Sequence, residues 1–151
     1  MKEDQGFSLV EVMVVVLIIA ILLAISVPTF LGFRASARRT ETRENLVIAA
    51  KIESAVAVEG TGYEDDDTKL ELLEPALDFS GGSDVAIHVL VADAVASGDN
   101  GQVLMYARAG EGGEWQGIRL VAAGPGAGRH TCEGSAKSDV DTMAACSGSA
   151  W

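Results

Sequence analysis

The sequence predicts an α+β protein: a long N-terminal α-helix, part anchor and part amphipathic, packed against a small antiparallel β-meander with a disulfide-closed C-terminal region. Three observations predict it. Val12 to Phe33 is a run of 22 residues without a charge. Arg34 to Glu59 continues without Gly or Pro, with apolar or small residues at a helical period. Three alternating apolar segments then follow, separated by turn sequences.

The apolar run is long enough to cross a bilayer. At about 1.5 Å per residue it reaches roughly 33 Å, against a hydrocarbon layer of about 30 Å. It is apolar on every side, so it requires lipid or other apolar helices around it. A cleavable secretory signal fits less well, although Ala35-Ser36-Ala37 offers a small-residue cleavage site. Such signals want a basic start and a shorter core, whereas here Lys2 faces Glu3, Asp4 and Glu11. Pro28 removes one helical hydrogen bond and Gly32 adds backbone freedom, so a kink is expected between Ser26 and Gly32.

Glu11 is the only ionised side chain between Asp4 and Arg34. A carboxylate inside hydrocarbon costs roughly 2.5 to 3.5 kcal/mol on insertion scales, so it either snorkels to water or finds a cation. A cut between Gly6 and Phe7 would supply one: a new α-amine, with an ordinary pKa of about 8, four residues before Glu11. Charge and countercharge at one helix end would fix register between packed helices more than they would add stability.

The second half of the helix carries a stripe at Leu46, Ala49, Ala50, Ile52 and Val56. Arg38 and Glu41 are spaced for an i,i+3 pair. Arg34, Arg38, Arg39 and Arg43 read as a solvated face, or as a contact for anionic lipid or for acidic neighbours. Gly60-Thr61-Gly62 ends the helix. A connecting loop follows with one short helix, for which Thr68 and Glu71 fit a capping box and Leu70, Leu73 and Leu77 an apolar face. Its EDDD run lacks the alternating ligands of a calcium loop and reads as solvated. The candidate strands are Val85 to Ala92, Gln102 to Ala109 and Trp115 to Ala123, with His88 an outward strand residue. GPGAG lacks the ending of a phosphate loop and reads as a turn.

Composition narrows the function. The chain has a net charge of -11, and Asn45 to Trp151 holds 17 acids against 6 bases, which disfavours a nucleic-acid surface. The 118 residues from Arg34 suit one domain. Cys132 and Cys146 are the only cysteines. A zinc site with His130 is conceivable but matches no usual spacing, and a disulfide is the preferred reading, which places the domain in an oxidising compartment. The four arginines after the span would favour the opposite topology by the positive-inside rule. No nucleophile set, metal cluster or nucleotide loop points to an enzyme, and no cofactor or metal is expected.

The stretch GFSLVEVMVVVLIIAILLAISVPTF resembles the processing and assembly segment of type IV prepilins and of the related pseudopilins of secretion and DNA-uptake machines. The resemblance implies a leader at 1–6, an assembly helix at 7–33, its amphipathic continuation at 34–59 and a globular head at 60–151. It implies that a prepilin peptidase cuts after Gly6 and methylates the amine of Phe7. Glu11 would engage the terminus of a neighbouring subunit, and Pro28 matches the kinking proline. The expected partners are other copies in a helical filament, the peptidase, an inner-membrane assembly platform, and the membrane before assembly. The expected route runs from a single-pass precursor with an extracytoplasmic head to an extracellular pilus. The cysteine-bearing tail resembles the disulfide-bounded end of many pilins and favours a pilin over the alternative, a pseudopilin or minor pilin.

Overall fold

The computed structural model describes residues 7–59, 62–64, 66–80, 86–92, 101–110, 112–122, 126–148 and 151. Gly6, with the rest of 1–6, lies outside them, as do Gly60, Thr61, Val85 and most of the SGDNG turn. The first element, α1, is an α-helix spanning Leu9–Val58, and the chain divides into two compact units at Ser36 and Ala37.

Unit 1 consists of the first part of α1, and each of its described residues is exposed. An 18-residue window of this helix has a mean hydropathy of 3.1, and none of that window is buried. Pro28 lies inside the helix. Beside it, the hydroxyls of Ser26 and Thr29 donate to the carbonyls of Leu22 and Ile25 at 2.8 and 2.7 Å, satisfying both groups one turn back.

Unit 2 is built on the second part of α1. Thr42, Leu46, Ala49, Ala50 and Glu53 form its buried stripe, with Ile52 and Val56 half-buried at its margin. Burial of Glu53 has a specific cause. Its Oε2 accepts the backbone N–H of Glu64 at 3.1 Å, pinning the chain just past the helix end. Burial, followed by the nearby Glu53 charge, raises the Tyr63 phenol above its ordinary pKa.

The short helix α2 spans Asp67–Leu73. The expected capping box of Thr68 and Glu71 is not formed. Asp66 is the N-cap instead, accepting the Thr68 N–H at 3.0 Å, while Glu71 accepts from the Phe79 N–H at 3.2 Å. The earlier carboxylate wins because it lies at the point where the chain is still extended. Leu70 and Leu77 enter the core, but Leu73 is exposed.

The sheet is a four-stranded antiparallel meander of β1 (His88–Ala92), β2 (Gln102–Arg108), β3 (Trp115–Val121) and β4 (Gly128–Gly134), in the order β1-β2-β3-β4. The alternating segments predict only the first three. The fourth, GRHTCEG, escapes a hydrophobic pattern because it is an edge strand whose ends are exposed or half-buried. Alternation puts Val103, Met105, Ile118 and Leu120 on one face, against Leu46, Ala49, Ala50 and Phe79. Leu104 and Cys132 point to the other face, where Val140 and Cys146 from the C-terminal segment cover them. The described chain is thus a long helix, an antiparallel sheet and a disulfide-closed end, an α+β fold.

Candidate functional site

The N-terminal segment is organised around one carboxylate. Ser8 starts the helix by accepting the Val12 N–H at 3.3 Å, and Glu11 occupies the first turn, where the helix dipole favours a negative charge. Phe7 precedes it, 82 % exposed, and the leucines, valines and isoleucines that follow are about half exposed or more. The spacing of Phe7 and Glu11 is about one helical turn. Phe7 and Glu11 thus stand at the same end of α1. Pro28 and Gly32 lie further along, and a Cβ added at Gly32 would meet nothing within 4 Å.

Arg38, Arg39 and Arg43 of unit 2 are committed within the fold. Arg39 pairs with Glu114 at 2.9 Å, just before β3, and Arg43 pairs with Glu133 in β4 at 3.0 Å. In the orientation that satisfies both ends of its buried amide, Gln116 donates to the Arg39 carbonyl and accepts from Arg43 Nε, each at 3.1 Å. The Trp151 ring lies 5.4 Å from the Arg43 guanidinium. Burial pushes the Glu133 carboxyl up, but its hydrogen bond with Glu114 and the charge and hydrogen bond of Arg43 oppose this and leave it below the usual carboxylate range. Arg38 packs beside Gly110, where a Cβ would come within 2.9 Å of its Cδ, and Gly110 has a φ of +73°. The expected pair of Arg38 and Glu41 is absent from the ion pairs of the described residues. The network as a whole is not legible in the sequence; the four clustered arginines are its only trace there.

The C-terminal region is closed by a disulfide between Cys132 and Cys146, with Cα atoms 4.9 Å apart. Both cysteines are therefore consumed, and among the described residues no cluster of three or more His, Cys, Asp or Glu could hold a metal ion. Arg119 donates to the Met143 carbonyl and ties the closed loop to β3. Gly117 is required beneath the bridge, since a Cβ there would lie 2.7 Å from Cys132 Sγ. His88 is half-buried, stacking on Tyr106 at 5.0 Å and lying 6.2 Å from Trp115, a partly satisfied strand residue.

Residues 1–27 match the prokaryotic N-terminal methylation motif. A 44-residue stretch of the chain is 46 % identical to the type IV major pilin protein PilA of Myxococcus xanthus (strain DK1622). The chain carries a prokaryotic N-terminal methylation motif. The pilin match covers 29 % of this chain and 20 % of the relative, so the chain spans about a fifth of the length of the curated pilin it matches. No solved structure matches. The matched segment contains Phe7, Glu11 and the start of the exposed apolar helix.

Proposed function

We propose that this chain is a structural subunit of a type IV pilus, made as a membrane-anchored prepilin. A prepilin peptidase cuts after Gly6 and the new amine of Phe7 is methylated. The apolar helix first resides in the cytoplasmic membrane, with unit 2 on the extracytoplasmic side. It then leaves lipid to pack with the helices of other copies on an assembly platform. The observation that carries the reading is the first part of α1, from Leu9 to Phe33, apolar on all sides, unburied throughout its hydropathic window, with Glu11 as the one carboxylate of that stretch. Such a helix needs an apolar environment, and a lone carboxylate within it needs a cation. The amine created by cleavage meets that need in a packed filament, where lipid alone does not.

The disulfide supports an oxidising location for unit 2 and outweighs the positive-inside tendency of the flanking arginines. Arg39 and Arg43 are held inside unit 2, which further weakens their value as a topology signal. Electron microscopy of cells with and without the protein tests the reading. Loss of long surface fibres on deletion supports a pilus subunit, and unchanged fibres would count against it.

A further inference from the structure

The surface of unit 2 carries two features that the pilin motif does not explain. One is a shallow groove of about 500 Å³ between α1 and β4, floored by Val47 and Ile48 and bounded at one side by Trp151, with a smaller depression beside it that reaches Leu120. Lys51 and Arg129 line it, both exposed, and neither forms an ion pair with a described residue. They set two cations against one lining carboxylate, Glu44, in a domain that is otherwise strongly acidic, while Arg43, which also lines the groove, is already paired with Glu133.

The other feature is the end of α2. Leu72 and Leu73 are 81 % and 57 % exposed and are followed by Glu74, within the sequence Glu71-Leu72-Leu73-Glu74. Adjacent exposed leucines flanked by acids present an apolar knob with a negative rim. The groove presents the complementary relief, an apolar floor with a positive rim.

The two lie by different edge strands of unit 2. The segment after α2 is tied to the start of β1, where the Ile87 N–H donates to the Asp78 carbonyl at 2.7 Å, and Asp67 acts electrostatically on His88. The groove instead belongs to β3 and β4, so the two features stand near opposite edges of a sheet about 14 Å wide from first strand to last. Each copy thus carries one knob and one socket at separate places, and a contact between the knob of one copy and the socket of the next can repeat from copy to copy.

We infer that the Leu72–Leu73–Glu74 knob of one copy docks into the Lys51–Arg129 groove of the next, so that the heads as well as the apolar helices carry subunit contacts. The inference rests on the filament reading and names the surfaces that reading would use. The knob buries two leucines that otherwise face water, and Lys51 and Arg129 gain a counter-charge from the acids beside them. Electrostatics at such a rim sets register and choice of partner more than total affinity.

The test uses the full-length chain in a cell that processes and assembles it, with a benzoylphenylalanine photocrosslinker at Leu72. Crosslinks in intact fibres, mapped by mass spectrometry, are expected on residues 47–51, 120 or 129 of another copy. Fibres crosslinked only elsewhere would overturn the docking and leave the filament reading standing. Failure of the wild-type chain to enter any fibre would overturn both. In parallel, Lys51→Glu and Glu74→Lys should each reduce fibres by roughly tenfold, because like charges then face each other across the contact. The double variant should recover them. Losses that simply accumulate in the double variant would contradict the pairing.

Discussion

Arg43 in α1 and Glu133 in β4, ninety positions apart, meet at 3.0 Å. Around this pair the fold of unit 2 is tied together: Gln116 meets Arg43 from β3, and Trp151 covers its guanidinium. Through one side chain the helix holds both the edge of the sheet and the C-terminal residue.

Arg43→Ala should therefore destabilise unit 2 although no core residue is touched. Both partners are partly exposed, with side-chain exposures of 35 % and 23 %, so the loss is modest. We expect ~1 kcal/mol, or a fall in Tm of roughly 4 °C. Thermal unfolding of the full chain in detergent measures it, and an unchanged Tm would remove the pair from the account.

The disulfide should matter more. Cys132 and Cys146 close a loop with a sequence separation of 14, worth about 3 kcal/mol in the chain-entropy description. Reduction, or replacement of both cysteines by serine, should lower the Tm and loosen Val140 and Met143 from Leu104. Hydrogen exchange should locate the change in 132–146 and leave the second half of α1 protected.

Stability should fall on mild acidification through His88. Its pKa is lowered by burial and then by the charge of Lys137, against the opposing influence of Asp67. A depressed folded pKa means that the unfolded chain takes up the proton first. The stabilisation is therefore present above the unfolded value of about 6.5 and is lost as pH drops through the lower folded value. His88→Gln should flatten the pH dependence of Tm between about pH 7 and 5. An equally steep profile in the variant would assign the effect to other groups.

Glu11→Val should leave insertion and cleavage intact and impair assembly. Valine suits the apolar helix better than glutamate does, so the mature chain should accumulate in the membrane while fibres become scarce or irregular. Normal fibres from this variant would remove the role assigned to the carboxylate.

The helices and the inner strands are legible in the sequence because their patterns repeat. The uncharged run from Val12 to Phe33, the stripe at Leu46, Ala49 and Ala50, and the alternation in VLMYARA each reflect one environment acting on many residues. Single-residue devices are not legible. Glu53 is buried to hold the Glu64 N–H, Asp66 displaces Thr68 as the N-cap, and Gln116 bridges two arginines. Each depends on a partner brought near by folding, and none leaves a periodic trace. β4 escapes for a related reason. An edge strand with exposed ends has little apolar pattern to show, and Arg129, His130 and Glu133 interrupt what there is.

The most direct measurement is the mass of the N-terminal peptide of the mature protein, taken from cells that assemble it. The account predicts a chain beginning at Phe7 with a methyl group on its amine. A chain beginning at Met1 would mean an unprocessed anchor, one beginning at Arg38 a cleaved secretory signal, and either would contradict the central claim that proteolysis creates the positive end Glu11 requires.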